Sequence, residues 1–330
     1  MESKQTTKER KAGADTIQRL LAFGALLILF VIFSFASPYF FTFNNIVGIL
    51  VATAVNGLLA IGVTFIIITG GIDLSVGTAM TLASVMSAVF VNYWGLPPIL
   101  GVLAGILSGI VTGLINGLMV SKLKLPPFIA TLGMLNVARG LSLVITDLSP
   151  SYFPLETNWR EIAMGSILGS VIPGFEIPNA VLIMFVSAIV AGLVLSKTVV
   201  GRYTFAIGSN EEAARLSGVN VSLWKMIIYA IGGFFVGIAG VVISSRLNSA
   251  QPALGLGYEL DAIAAAVIGG VSLSGGEGTI LGTIIGAFII STLTNGLRIL
   301  SVPQEWQIVF TGLIIIGAVY LDIIRRRARS

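Results

Sequence analysis

Cysteine and histidine are both absent from this chain of 330 residues. Without cysteine there is no disulfide, no thiolate nucleophile and no Cys-ligated metal. Without histidine there is no Ser-His-Asp triad, no His-ligated zinc, iron or haem, and no imidazole proton relay. Charge is scarce too. Asp, Glu, Lys and Arg make up 10% of the residues, where a soluble domain carries about 25%. Hydrophobic residues reach 55% and mean hydropathy is +0.98. No water-soluble surface can be built from that inventory. The chain therefore reads as all-α and polytopic in a membrane, with no catalytic set, no metal and no cofactor.

A crossing helix needs about 20 apolar residues. Ten segments qualify: 20–36, 46–69, 74–92, 98–120, 127–146, 178–196, 225–245, 258–273, 279–299 and 305–322. The run from Leu74 to Ser121 has no charge, and Asn92–Pro98 divides it with aromatic residues suited to an interface. Ser34-Phe35-Ala36 has the look of a signal cleavage site, but the apolar run from Leu20 is too long for a signal core, so the first helix is expected to stay uncleaved.

The net charge of +4 matters less than where the charge sits. With ten crossings and both termini in the cytoplasm, the inner segments are 1–19, 70–73, 121–126, 197–224, 274–278 and 323–330. Those segments and their edges hold every basic residue except Arg139, Arg160, Arg246 and Arg298, as the positive-inside rule requires. Residues 1–19 form an inner tail, 20–322 one membrane domain, and 323–330 a basic inner tail. Within the domain, 147–177, with Trp159-Arg160-Glu161 and Ile167-Leu168, is an outer loop expected to hold a short surface helix. No nucleic-acid partner is expected; the bilayer is the surface the basic residues meet.

Gly101, Gly105, Gly109, Gly113 and Gly117 recur at every fourth position of the fourth span, with shorter series at Gly278, Gly282 and Gly286 and at Gly233 and Gly237. Small residues spaced this way let helix backbones approach closely in lipid. GGIDLS at 70–75 echoes GGVSLS at 269–274, but the spans around them differ, and no simple repeat is assigned. Gly192–Thr198 superficially matches a P-loop but lacks the glycine before Lys197. If ATP drives this protein, another subunit binds it.

Five residues are candidates for a translocation path or gate: Asp73, Asn116, Asn136, Arg139 and Asn295. Asp73 reads either as a cap at a tight inner turn or as a gate residue in a broken helix, since charge at the bilayer centre costs about 3 kcal/mol or more. The asparagines read either as helix–helix hydrogen bonds or as path contacts. Tyr258, Glu259 and Asp261 open the eighth span. They read as favourable charge at a helix N-terminus or as an outer mouth that meets a solute or a docking protein. The inner loop is the clearest element. Asn210 is a good N-cap, Glu211 and Glu212 fill the first turn, Ala213, Ala214, Arg215 and Leu216 favour helix, and Gly218 suits the position after the C-cap. A helix so firmly started and stopped suits docking to a cytoplasmic partner; Asn210, Glu211, Glu212, Ala213, Arg215, Leu216 and Gly218 are its candidate coupling residues.

GGIDLSVG at 70–77, PPFIATLG at 126–133 with Arg139-Gly140, GRYTFAIGSNEEAARLSGVNV at 201–221, SAQPALGLGYELDAIAAAVIGG at 249–270 and GGEG at 275–278 together resemble the membrane permease subunit of bacterial ribose-type ATP-driven sugar importers. The resemblance spans residues 38–322. It implies a second copy of the chain, a cytoplasmic ATP-binding subunit and an extracytoplasmic sugar-binding protein, with 201–221 as the coupling segment, 70–77 as a turn near the path, and ribose as the sugar. Ser209 departs from the glycine that many relatives carry there. The alternative from composition alone is an ion- or proton-coupled transporter of a small polar solute, for which Asp73, Glu259 and Asp261 are the available acids.

Overall fold

A computed structural model describes residues 20–172 and 174–327. The tail 1–19 and residues 328–330 lie outside the described residues. The helices in chain order are α1 (Leu20–Ala36), α2 (Phe43–Ile68), α3 (Val76–Ala88, continued by a π turn to Tyr93), α4 (Pro98–Ser121), α5 (Pro127–Ile145), α6 (Glu161–Met164), α7 (Ile167–Val171), α8 (Asn179–Lys197), α9 (Val199–Ser209), α10 (Glu211–Leu216), α11 (Val221–Leu247), α12 (Tyr258–Ile268), α13 (Ile280–Ile299) and α14 (Gln304–Arg327). Two strands of two residues, β1 (Ser151–Tyr152) and β2 (Ser249–Ala250), pair antiparallel. Among the described residues seven helices are long and apolar enough to cross a membrane: α2, α3 with its π turn, α4, α5, α8, α11 and α13.

Prolines start several of these helices. Pro98 and Pro127 occupy first helical positions and Pro178 caps α8. Proline fits there because its missing N–H has no partner in a first turn anyway. Threonine and asparagine do the same job by hydrogen bonding: Thr279 accepts from Gly282 N and Asn220 from Leu223 N.

The glycine ridge of α4 packs against α11 along most of its length. A Cβ added at Gly109 would fall on the carbonyl oxygen of Gly233, one at Gly113 on that of Tyr229, and one at Gly237 against the Ile106 backbone. The two backbones touch, as small-xxx-small spacing permits. α2 runs beside this pair; Gly62 lies against Gly232, and the half of α2 from Leu58 to Ile68 is buried throughout.

One expectation needs correction. The eighth span, expected over 258–273, is helical only over Tyr258–Ile268, and its 11 residues reach about 16 Å at 1.5 Å each, half of the hydrocarbon thickness. Gly269 and Gly270 stop it, and Gly270 takes φ +95°. The outer loop carries two short helices, α6 and α7, and α7 is exposed at Ile167 and Val171. The Trp159 indole, just before α6, is 0% exposed, stacks on Phe153 at 4.4 Å and donates to Ser244 Oγ at 3.2 Å.

The segments expected inside meet at one end of the bundle. Gly276 N donates to Ile68 O at 2.8 Å, Gly208 backs onto the same Ile68 carbonyl, and Ser222 Oγ donates to Ser121 O at 3.3 Å. Those expected outside meet at the other. Asn92 Nδ2 donates to Ser151 Oγ at 2.8 Å, Asn248 Nδ2 donates to Phe153 O at 3.0 Å, and Asn295 Nδ2 donates to Asn45 Oδ1 at 3.0 Å.

Candidate functional site

The loop 197–224 folds as two helices. Thr198 breaks the chain after α8, and α9 returns along the bundle end. Gly208 must be glycine for reach rather than torsion, because any Cβ would collide with the Ile68 carbonyl oxygen and Gly276 N. Ser209, the departure from the familiar pattern, has its hydroxyl near Gly276. α10 follows with the expected caps. Asn210 Oδ1 accepts from Ala213 N at 2.9 Å. Gly218, at φ +86°, donates to Arg215 O at 3.0 Å, and Val219 N donates to Ala214 O at 3.1 Å. That pair of bonds is a Schellman stop.

α10 therefore has two sides. Ala214 is buried against the bundle, and Glu211 accepts from Lys225 Nζ of α11 at 2.6 Å and from Arg215 at 3.0 Å. Partial burial raises the Glu211 carboxyl, but the Lys225 hydrogen bond and the charges of Lys225, Arg215 and Lys124 outweigh it and hold it below the usual value. On the other side Glu212 and Ala213 are exposed, and Leu216 is 84% exposed. A pocket of about 240 Å³ lies beside the inner side, lined by Ser121, Lys124, Glu211, Ser222 and Lys225 among others.

Of the five path candidates, the fold unites two. Asp73 and Asn116 are 4% and 1% exposed. Asp73 Oδ1 accepts from Ser75 N at 2.8 Å and Ser75 Oγ at 2.6 Å, while Asn116 Nδ2 donates to Asp73 Oδ2 at 3.2 Å and to Ser75 Oγ at 2.8 Å. The carboxylate thus closes the turn before α3 and ties it to α4. The phenol of Tyr229 beside Gly71 is buried with no hydrogen-bond partner; sequence gave no sign that Tyr229 reaches this cluster. Asn136 and Arg139 stand apart, both exposed on α5, with Asn136 Nδ2 donating only to Leu132 O of its own helix at 3.1 Å. Asn295 is at the opposite end, bonded to Asn45.

Of Tyr258, Glu259 and Asp261, Glu259 is buried and the other two are half-buried. Glu259 is 8% exposed; both its carboxylate oxygens accept from Gly257 N, at 3.1 and 3.2 Å, and the side chain lies against Gly77. Gly77 lies far down α3 from Tyr93, about 24 Å at 1.5 Å per residue. The sequence read them as the start of a full crossing. Gly255 and Gly257, both at positive φ, turn the chain just before α12.

The described residues form a bundle of apolar helices with one short capped helix at its end. The chain belongs to the family described as branched-chain amino acid transport system / permease component, whose model matches residues 45–319. It is 46% identical over 323 residues to the ribose import permease protein of Bacillus subtilis, covering 97% of this chain and 98% of that one. It is 42% identical over 322 residues to the ribose import permease protein of Haemophilus influenzae, covering 97% of each. Identity to the L-arabinose transport system permease protein of Escherichia coli is 38% over 326 residues, covering 96% of this chain and 92% of that one.

Proposed function

We propose that this chain is the membrane permease subunit of an ATP-driven ribose importer in the bacterial cytoplasmic membrane. It performs no covalent chemistry. A cytoplasmic ATP-binding subunit supplies the work, an extracytoplasmic binding protein supplies the sugar, and a second copy of the chain completes the path. Likeness to the ribose permeases supports the sugar, with identity falling from 46% and 42% to 38% for the arabinose protein.

The observation that carries the mechanical reading is α10. Its outer side offers Glu212 and Leu216 to a partner. Its inner side is tied through Glu211 and Lys225 to α11, and α11 shares backbone contact with α4. A push on α10 is thereby delivered to the helices at the centre of the bundle, and through Asn116 to the turn at Asp73. In this reading Asp73 and Asn116 form the inner gate. Ten crossings with both ends inside fit the gathering of inner segments at one end of the bundle, with α12 as half a crossing.

The second copy is supported by Arg139. It is exposed on the outside of α5, about 18 Å from the helix start at Pro127. A guanidinium facing lipid at that depth costs about 3 kcal/mol or more. A second bundle against this face would remove that cost and leave Arg139 and Asn136 lining the shared path; Asn295 would remain a helix-to-loop bond.

Glu212→Lys and Gly218→Val test the docking. Each is expected to insert normally, to lose co-purification with the ATP-binding subunit, and to abolish uptake. Normal co-purification and uptake in both would remove α10 as the coupling helix.

A further inference from the structure

Tyr229 of α11 is 1% exposed, yet its hydroxyl has no hydrogen-bond partner among the described residues. Trp159, the other large buried ring with a polar tip, donates to Ser244 Oγ at 3.2 Å. A buried hydroxyl without a partner gives up water and gains nothing, so tyrosine costs free energy here that phenylalanine in the same space would not. Such a group either holds a small molecule in this conformation or finds its partner in another one. The two cases differ in sign. With a bound water the hydroxyl supports the conformation described; without one it works against it.

The surroundings favour a partner in a second conformation. The stem of the side chain stands against α4. A Cβ at Gly117 would lie 3.1 Å from Tyr229 Cβ, and one at Gly113 would fall on the Tyr229 carbonyl oxygen. Asn116 lies between those glycines. The tip of the ring reaches the turn before α3, where a Cβ at Gly71 would lie 2.7 Å from the hydroxyl. Asp73 follows two residues later. Its Oδ1 accepts twice, from Ser75 N and Ser75 Oγ, whereas Oδ2 accepts only from Asn116 Nδ2, at 3.2 Å. A carboxylate oxygen takes about two donors, so Oδ2 has room for one more. Asp73 also has no ion pair among the described residues, where the ion pairs are those of Glu211. A buried phenol with a proton to donate thus borders a turn whose carboxylate has a lone pair to offer, and a hydrogen bond to a charged acceptor is the strong kind.

α11 supplies the movement. Glu211 of α10 accepts from Lys225 at 2.6 Å, and Lys225 precedes Tyr229 by four residues on α11. That is about one turn, roughly 6 Å along one face of the helix. A displacement of α10 therefore arrives at Tyr229 through a single turn of α11, without passing through α4.

We propose that Tyr229 is a positioning residue of the inner gate: when α10 moves, its hydroxyl donates to Asp73 Oδ2 in place of Asn116, and the turn before α3 is released from α4. The conformation described is the one held by Asn116. The proposal rests on the permease reading and deepens it by naming the residue that hands the movement to Asp73.

The test uses the full complex of permease, ATP-binding subunit and sugar-binding protein in proteoliposomes. Tyr229→Phe keeps the ring and removes only the hydroxyl. It is expected to lower ribose uptake at least tenfold, while the ATP-binding subunit stays attached and the permease in detergent unfolds at a temperature no lower than wild type. Uptake within twofold of wild type would overturn the proposal. So would a lowered unfolding temperature, because the hydroxyl would then already be bonded, to water or another small ligand, in the resting conformation. A second measurement keeps the hydroxyl and holds even if the Phe variant assembles poorly. With 3-fluorotyrosine incorporated at position 229, the fluorine resonance is expected to shift when the complex is trapped with ATP and vanadate, and to lose that shift when Asp73→Ala is added. A resonance that does not move on trapping, or that moves equally with Asp73→Ala, would overturn the proposal. Failure of the wild-type complex to take up any sugar would instead overturn the permease reading itself.

Discussion

Helices α10 and α12 are alike on paper. Each is short and each has two acids in its first turn. They differ in what surrounds the acids. In α10, Glu211 finds Lys225 and Arg215 at the edge of the bundle, and Glu212 faces outward. In α12, Glu259 is enclosed beside Gly77 with a backbone N–H for company, and Asp261 has no partner among the described residues. A carboxylate near water is cheap and its position says little. A carboxylate inside the bundle is expensive, and its retention points to work that needs it. In the proposed reading the first helix is the one that is pushed on.

α10 touches α11, α12 packs on α13 and α2, and the α4–α11 seam is the most extensive helix contact of the bundle, so the largest effect is expected there. Gly109→Leu must drive two touching backbones apart, and overpacking costs about 1–3 kcal/mol even where side chains alone must shift. Most of the monodisperse protein should be lost on size-exclusion chromatography, and both helices should fail together. Normal yield would show that the seam is not what supports them.

Asn116→Ala sharpens the comparison from the path side. It leaves Asp73 without its donor from α4, a loss of about 1–3 kcal/mol for a buried polar group. Thermal unfolding in detergent should shift down while the ATP-binding subunit stays attached. Detachment of that subunit would mean that the two ends of the relay are not separable. Gly218→Val acts on α10 alone. A β-branched residue at φ +86° is strained by about 1–2 kcal/mol. That local loss should leave bundle stability nearly unchanged while coupling disappears.

The smallest effect is expected at the Glu211–Lys225 pair. Glu211 is about two-fifths exposed, so solvent screening limits the pair to under about 1 kcal/mol. Its carboxyl titrates below the ordinary 4.5 when folded. The contribution is therefore whole above that value and lost as pH falls through the lowered one. Acid unfolding of Glu211→Gln should show a flatter pH dependence than wild type in that window. Identical profiles would mean the pair is not formed in solution.

The same contrast explains what could be read from the residues. α10 was legible to the residue because its start and stop are local: Asn210, two acids and Gly218 act within a few positions of each other. The glycine ridge was legible because its period fixes a helix face, although its partner, α11, was not. α12 was misread because its depth is set by distant groups, Thr81 and Gly77, and by turns at Gly255 and Gly257 that look like any loop. The burial of Trp159 was not legible for the same reason: its indole is buried only because Ser244, Ser245 and Phe153 close over it. Asp73 and Asn116 were each singled out, but nothing local announced that they touch.

In the proposed importer, ATP hydrolysis by a partner, transmitted through α10, drives ribose through this chain. The most direct measurement is ribose accumulation in proteoliposomes holding the permease and its ATP-binding subunit, with the binding protein outside. Accumulation is expected to require ATP on the side of α10 and to survive ionophores that collapse proton and sodium gradients. Accumulation without the ATP-binding subunit, abolished by those ionophores, would contradict the account and point to an ion-coupled carrier.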